Sequence, residues 1–231
     1  ALDRSTLSLT GVTLRGGTYP VRMQPNVVLS ALSGNTASGY PSDRNGIAVE
    51  GGLMGTTAAT SQSRTWPGGD LPYIVLADLT VRNDTNSVSE FISTLSIGSA
   101  VVRFNAGAGL SIGDDSGTAG HKGSLLATAV TFTANVTPPT PGFWDGIYFA
   151  DTGKDGALLL DACVVEGAGG GGLSGALSVN ASSVVLRNGT IVRTVGNVGL
   201  HLTASTASVA TVTGGEIEGG SSPAVLALDR S

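Results

Sequence analysis

The segment Gly189-Thr190-Ile191-Val192-Arg193 decides the fold, because apolar residues bounded by polar ones follow directly after a glycine. A similar arrangement beside a glycine recurs in Cys163-Val164-Val165-Glu166-Gly167 and in Gly215-Glu216-Ile217-Glu218-Gly219, where apolar and polar residues alternate strictly. It is typical of a short β-strand with one buried face. The central residues of the three segments are evenly spaced along the chain, and we expect them, Ile191 among them, to point inward.

Earlier parts of the chain carry the same pattern at longer intervals. Its central apolar residues there are Leu14, Val81 and Phe132, and strand-like segments such as 46–49 and 101–104 fill the gaps. A repeat of roughly 22 to 27 residues with three short strands is typical of one coil of a parallel β-helix. The pattern therefore predicts an all-β protein, a right-handed parallel β-helix of about nine coils, with the handedness given by the rule for parallel crossovers.

Composition supports this interpretation and excludes several classes of function. Charged residues make up only 13% of the chain and glycine accounts for 35 of 231 residues, which disfavours α-helix, while 41% hydrophobic residues disfavour global disorder. The net charge of −5 comes without a basic stripe, so we expect no nucleic-acid partner. Asp161 and Glu166 interrupt the most apolar stretch, so no membrane-spanning segment is expected either. The single cysteine, Cys163, excludes an internal disulfide framework.

The first and last residues of the chain repeat each other, because Ala1-Leu2-Asp3-Arg4-Ser5 recurs as residues 227–231. When the end is joined to a new start at this repeat, the next Leu14 follows Ile217 at a distance of again about one coil. We therefore expect the single domain 1–231 to be one period of a tandem array.

Neither end of the predicted solenoid shows the polar helix or loop that closes monomeric solenoids. Residues 1–14 and 217–231 instead alternate like the middle of the chain. We expect uncapped ends that stack head-to-tail on further copies. The apolar residues expected at this assembly interface are Leu7, Leu9, Val12, Leu14, Ile217, Val225, Leu226 and Leu228.

A family resemblance is carried by residues 71–75 through 107–113, by 123–133, and by Phe143-Trp144-Asp145-Gly146-Ile147-Tyr148-Phe149. Over about residues 70–150 the chain resembles secreted bacterial right-handed parallel β-helix proteins with the pectate-lyase-like fold. The resemblance implies the fold and a location outside the cell or on its surface. That fold family includes polysaccharide lyases and hydrolases, adhesins, surface fibres and phage spikes, so it does not by itself imply an activity.

Catalytic motifs of this fold family are not reproduced. Asp114-Asp115 and Gly120-His121-Lys122 invite comparison with galacturonan hydrolases, but they lie less than a coil apart, and Asn-Thr-Asp and Arg-Ile-Lys are missing. We expect these residues to form a solvated loop. The cluster of Asp145, Asp151, Lys154 and Asp155 is a polar turn in the first interpretation and a calcium site in the second.

His121 and His201 are too few for a zinc site, and we expect His201 to face solvent. The sequence therefore predicts no catalytic residue, no metal and no cofactor. Three aromatic residues are candidates for stacking on a sugar, namely Trp66 in a loop-like stretch, Trp144, for which packing is the alternative, and Tyr148.

The leading hypothesis is a non-enzymatic structural subunit or repeat unit of an extracellular filament or giant surface protein. Its expected partner is a further copy of itself, stacked along the solenoid axis, and extracellular glycans are a second candidate partner. One alternative is a secreted protein that binds or degrades polysaccharides. The other is the spacer of an adhesin stalk.

Overall fold

The computed structural model describes residues 5–58, 60–85, 91–116, 118, 120–151, 153–171, 175–204 and 208–229, with the backbone alone for 153–157, 204 and 227–229. Within these ranges every regular element is a β-strand, and none is a helix that could cross a membrane. The strands are short because each spans one side of a coil. They are β1 Thr6–Thr10, β2 Thr13–Arg15, β3 Val21–Met23, β4 Val28–Ser33, β5 Thr36–Ser38, β6 Ile47–Val49, β7 Gly52–Met54, β8 Gln62–Trp66, β9 Tyr73–Val75, β10 Leu79–Val81, β11 Ile92–Gly98, β12 Val101–Phe104, β13 Gly109–Ile112, β14 Lys122–Thr128, β15 Thr131–Ala134, β16 Gly146–Phe149, β17 Gly153–Asp161, β18 Val164–Glu166, β19 Gly175–Asn180, β20 Ser183–Arg187, β21 Ile191–Arg193, β22 Val198–Ala204, β23 Val209–Thr213, β24 Glu216–Ile217 and β25 Val225–Asp229.

Three long parallel sheets run the length of the molecule. Sheet 1 contains β7, β10, β13, β16, β19, β22 and β25, sheet 2 contains β8, β11, β14, β17, β20 and β23, and sheet 3 contains β3, β6, β9, β12, β15, β18, β21 and β24. Two short pairs, β1 with β4 and β2 with β5, complete the first coils, and β4 lies against β8 of sheet 2. Because consecutive strands belong to different sheets, the chain winds as a β-solenoid, which confirms the predicted fold class.

The length of a coil can be followed on sheet 3. Val21 pairs with Ile47 and Ile47 with Tyr73, so the first two steps are equal in length. The later steps are unequal, with the shortest at the β21–β24 pair and the longest at the β15–β18 pair. The eight strands of the sheet therefore make about seven turns, and the prediction of nine coils is wrong. The coils are longer than expected because loops such as 135–145, between β15 and β16, take up residues.

The core is a set of stacked inward columns. Val81, Phe132 and Val165 are fully buried, as predicted from the alternation. Ile191 is only half-buried, and it is Val192 that pairs with Val165 and is buried, so the inward position predicted for Ile191 is wrong by one residue. The neighbouring Thr190 sets this register, because its hydroxyl is buried and donates to the Leu160 carbonyl while accepting from the Cys163 N–H.

A left-handed residue turns the chain after β1 and β4 in the first coils, and after each strand of sheet 2 from β11 onward. We call these residues the corner column; they are Gly11, Gly34, Ser99, Ala129, Ala162, Asn188 and Gly214. Their φ values lie between 47° at Ser99 and 69° at Gly214. At Gly11, Ser99, Ala129 and Ala162 the backbone N–H donates to the residue before the next corner, as from Ala129 to the Asp161 carbonyl at 2.8 Å. The corner is therefore part of the hydrogen-bond ladder between coils.

Candidate functional site

A shallow groove of about 390 Å³ runs along the outer face of sheet 1. Four outward residues on consecutive strands line it, because Leu53 pairs with Thr80, Thr80 with Ser111, and Ser111 with Tyr148. Since neighbouring strands lie about 4.8 Å apart, this row covers about 14 Å parallel to the solenoid axis. We call it the sheet 1 groove.

A charged cluster closes one side of the groove. Arg82, which follows β10, pairs through Nη1 with Asp114 and through Nη2 with Asp84 at 2.9 Å. Asp114 also lies 2.7 Å from His121 Nδ1 and accepts a hydrogen bond from the Ser116 hydroxyl at 2.8 Å. The prediction of a solvated loop is therefore incomplete, because Asp114 and His121 are bonded to residues of the coil before them.

Asp115 links three consecutive coils. It accepts a hydrogen bond from the Tyr148 hydroxyl, one from Asn180 Nδ2 at 3.0 Å, and one from the Asp151 N–H at 3.2 Å. Burial and the adjacent Asp115 carboxylate raise the pKa of Tyr148, so its hydroxyl stays a donor at neutral pH. Asp114 and Asp115 are thus both held by protein donors, an arrangement suited to a rigid polar rim.

Of the three aromatic candidates, only Tyr148 lies at this groove. Trp66 ends strand β8 rather than lying in a loop, is 1% exposed and stacks on Tyr73 with ring centres 4.7 Å apart. Trp144 is fully buried, stacks on Phe104 at 4.1 Å and donates from Nε1 to the Glu166 carbonyl. Burial therefore removes both tryptophans from the residues that can meet a ligand at the surface.

The other titratable candidates lie apart from the groove cluster. His201 is on the outer face of sheet 1 but only 4% exposed, so the expectation that it faces solvent is wrong. Neither of its ring nitrogens has a hydrogen-bond partner among the residues that the structure describes, and burial lowers its pKa. Burial and the nearby Asp78 raise the pKa of Asp145. The Lys154 and Asp155 side chains lie outside the described residues, and within those residues no cluster of histidine, cysteine or acidic groups fits a metal ion.

At the last coil the inward columns end and their final residues are exposed. Ala210 and Val212 pair with the buried Val184 and Leu186, and Val212 is 45% exposed. Val225 pairs with the buried Leu200 and is 48% exposed. Among the described residues no strand covers the outer edges of β23, β24 and β25. Together with the half-buried Ile217, these residues form what we call the upper end.

The first coil is open in the same way. Leu7, Leu9 and Leu14 are half-buried and pack against the core on one side only. Within the described ranges no strand pairs with the outer edges of β1, β2 and β3. We call this surface the lower end.

Three further residues predicted at the interface behave differently. Val12 is half-buried, and its N–H donates to Asn35 Oδ1 at 3.1 Å. Leu226 pairs with His201 on the outer face of sheet 1, so it does not belong to the inward columns. The Leu228 side chain lies outside the described residues.

The residues that sequence reasoning missed are Arg82 and Asp84 as members of the charged cluster. The register of the coils could have revealed them, because Val81 pairs with Ile112 and this pairing brings Arg82 next to the residues that follow β13.

Comparisons with family models, with curated proteins and with solved structures give no match for this chain. The resemblance to secreted bacterial β-helix proteins is therefore supported at the level of the parallel β-solenoid fold alone.

Proposed function

We propose that this chain is a structural repeat of an extracellular filament or giant surface protein, whose copies continue one another's solenoid end to end. The observation that carries the proposal is the apolar character of both ends. Val212 and Val225 at the upper end point along inward columns yet are nearly half exposed. Leu7, Leu9 and Leu14 present the matching apolar columns at the lower end.

Physical chemistry favours covering these ends. Uncovered edge strands offer unpaired N–H and C=O groups to any other strand, and exposed apolar columns add a hydrophobic driving force. A second copy satisfies both at once, since its first strands supply backbone partners and its leucines cover apolar residues of the upper end. Because the two surfaces lie at opposite ends of the solenoid, contact between them does not close into a ring and propagates into a rod.

The proposal assigns no catalysis to the chain. The two adjacent carboxylates of the sheet 1 groove, Asp114 and Asp115, are each held by several protein donors. Their bonds link neighbouring coils, which is a stabilising role in a long solenoid.

Sedimentation and electron microscopy of the 231-residue chain test the proposal. We expect mass to increase with concentration and rods to form with an axial repeat of about 38 Å, from eight rungs per period spaced by about 4.8 Å. The V212K/V225K variant, which places charge in the inward columns, is expected to stay monomeric. V209K is the matched control, because Val209 is equally exposed but pairs with Ser183 in an outward column. A monomer at every concentration, or equal assembly of both variants, would contradict the proposal.

A second candidate function is binding of a linear polysaccharide in the sheet 1 groove. It is favoured by the row of Thr80, Ser111 and Tyr148, which places hydroxyls and one aromatic ring on consecutive coils beside Arg82. Sugar sites commonly combine such hydrogen-bonding groups with an aromatic face.

Calorimetric titration with oligogalacturonate, with a neutral cello-oligosaccharide in parallel, tests this second function. Binding is expected to disappear in S111W, which fills the groove, and to persist in T131W on the outer face of sheet 3. Incubation of the same oligosaccharides with the protein and calcium would show their cleavage if the groove is catalytic. Neither binding nor cleavage of either polymer would retire this candidate.

A further inference from the structure

We infer that the junction between two copies has one defined register, in which β1 of the following copy pairs with β23 and its Arg15 lies beside Glu218. The inference rests on the proposed end-to-end assembly and specifies its contacts. Four independent features of the chain lead to the same alignment.

The order of the sheets determines which strands meet. A strand of sheet 1 is followed along the chain by a strand of sheet 2, as β7 is followed by β8 and β22 by β23. The last strand, β25, belongs to sheet 1. The first strand, β1, belongs to the extension of sheet 2, because it pairs with β4 and β4 lies against β8. A following copy therefore presents β1 to β23.

The corner column determines the offset. The corner of the following copy that comes next after Gly214 is its Gly11. When the sequence of residues 227–231 is aligned with that of residues 1–5, this Gly11 comes after Gly214 by the same number of residues that separates Gly11 from Gly34. All three glycines have positive φ, at 65°, 64° and 69° for Gly11, Gly34 and Gly214. Gly11 donates its N–H to the Ser33 carbonyl. In this alignment Gly214 donates in the same way to Thr10 of the following copy.

The alternation of side chains agrees with that offset. It places Leu7 and Leu9 of the following copy over Ala210 and Val212, so the exposed inward column of β23 is covered by leucines. Leu14 comes to lie over Ile217 in the same manner. Outward hydroxyl residues meet each other as well, with Ser8 beside Thr211. A shift by one residue would instead point both leucines to solvent.

The charges on the outer face of sheet 3 also match. Glu166 and Arg193 face each other on β18 and β21 and form an ion pair at 3.0 Å. Glu218 follows β24 opposite Arg193 and accepts from the Thr194 N–H. Arg15 at the lower end is exposed and has no ion pair with any described residue. The same offset places it next to Glu218, so the alternation of negative and positive charge continues across the junction.

Engineered cysteines in the full chain test the register. Thr211 and Ser8 are exposed, and neighbouring strands place Cα atoms within the 4.4–6.8 Å that a disulfide allows. We expect T211C/S8C to form a ladder of disulfide-linked oligomers at least about tenfold faster than T211C/T6C, in which the second cysteine is displaced by about 6.6 Å along the strand. Cys163 is buried and is left in place.

The outcomes separate the register from the proposed function. Equal rates for the two cysteine pairs, in a chain that still forms rods, would overturn the register and leave the assembly standing. A chain that forms neither rods nor a ladder would overturn both.

Charge reversal at Arg15 gives a second readout. R15E brings two carboxylates together at the junction, and we expect it to weaken association about two- to fivefold at low salt, less at high salt. R44E is the matched control, because Arg44 is an equally charged surface residue in a loop away from both ends. If R15E assembles as well as R44E, the contact between Arg15 and Glu218 is wrong.

Discussion

Arg193 lies with Nε and Nη2 each 3.0 Å from Oε2 of Glu166, the residue that faces it one coil away. Glu166 reaches the coil on its other side as well, because its Oε1 accepts from the Thr133 hydroxyl at 3.1 Å. One outward side chain thus connects three coils. In a solenoid, where each coil contacts only its neighbours, such links help to fix the relative register of the strands.

The strength of this link is modest, because the Arg193 side chain is 49% exposed and its charge is screened by solvent. We expect E166Q to lower the free energy of unfolding by no more than about 1 kcal/mol, and by less in high salt. Urea denaturation at low and high ionic strength measures both values. A larger loss that does not respond to salt would show that the ion pair is not the source of the stability.

The inward columns are expected to contribute far more to stability than the outer links. Phe132 is fully buried between Val102 and Val165, its pairing neighbours on sheet 3. F132A leaves a cavity in the core, and we expect it to cost about 3–5 kcal/mol. Leu126 provides the control in the same pair of coils, since it is 38% exposed and L126A should change stability by less than about 0.5 kcal/mol. Similar losses in the two variants would contradict the assignment of the core.

The corner column offers a stabilising substitution. Ala162 has φ 52°, a left-handed conformation that costs an L-residue about 1–2 kcal/mol and costs glycine almost nothing. Glycine also gains freedom in the unfolded chain, which removes about 0.4–1 kcal/mol of the benefit. We expect A162G to raise the free energy of unfolding by up to about 1 kcal/mol. A127G, at a buried strand position without strain, should lower it, and a loss in both variants would show that the corner is unstrained.

The core could be predicted from the sequence where alternation alone determines which side chains turn inward. Val81 and Phe132 are examples, since a polar residue stands on each side of both. Alternation failed at Ile191-Val192, where two apolar residues are adjacent and the buried Thr190 hydroxyl decides between two registers. The number of coils was overestimated because loop length does not appear in the strand pattern.

The groove could be predicted less well than the core. Asp114 and His121 could be recognised in the sequence as residues that resemble catalytic motifs, but their partner Arg82 lies 32 residues from Asp114 along the chain. Only the pairing of Val81 with Ile112 brings them together, and that register depends on the true coil length. Trp66 was misplaced because the Pro-Gly-Gly that follows it suggested a loop over residues 64–70, whereas strand β8 continues to Trp66 and the loop begins only at Pro67.

Burial of His201 predicts an acid-sensitive fold. Its pKa is lowered from the ordinary value of 6.5 by burial, and its pairing neighbours Ser178 and Leu226 carry no charge that could offset this. Below about pH 6.5 the unfolded chain therefore binds a proton that the folded chain does not, so stability falls as the pH falls, by at most about 1.4 kcal/mol for each pH unit. Above that pH the imidazole is neutral in both states and the effect vanishes.

The H201L variant, which removes the imidazole, tests this. Urea denaturation at pH 7.5, 6.5 and 5.5 should show that acidification lowers the free energy of unfolding less in H201L than in the parent chain. Since carboxylates titrate in both proteins, only the difference between the two pH profiles reports on His201. Parallel profiles would mean that the imidazole is protonated, and therefore solvated, in the folded state.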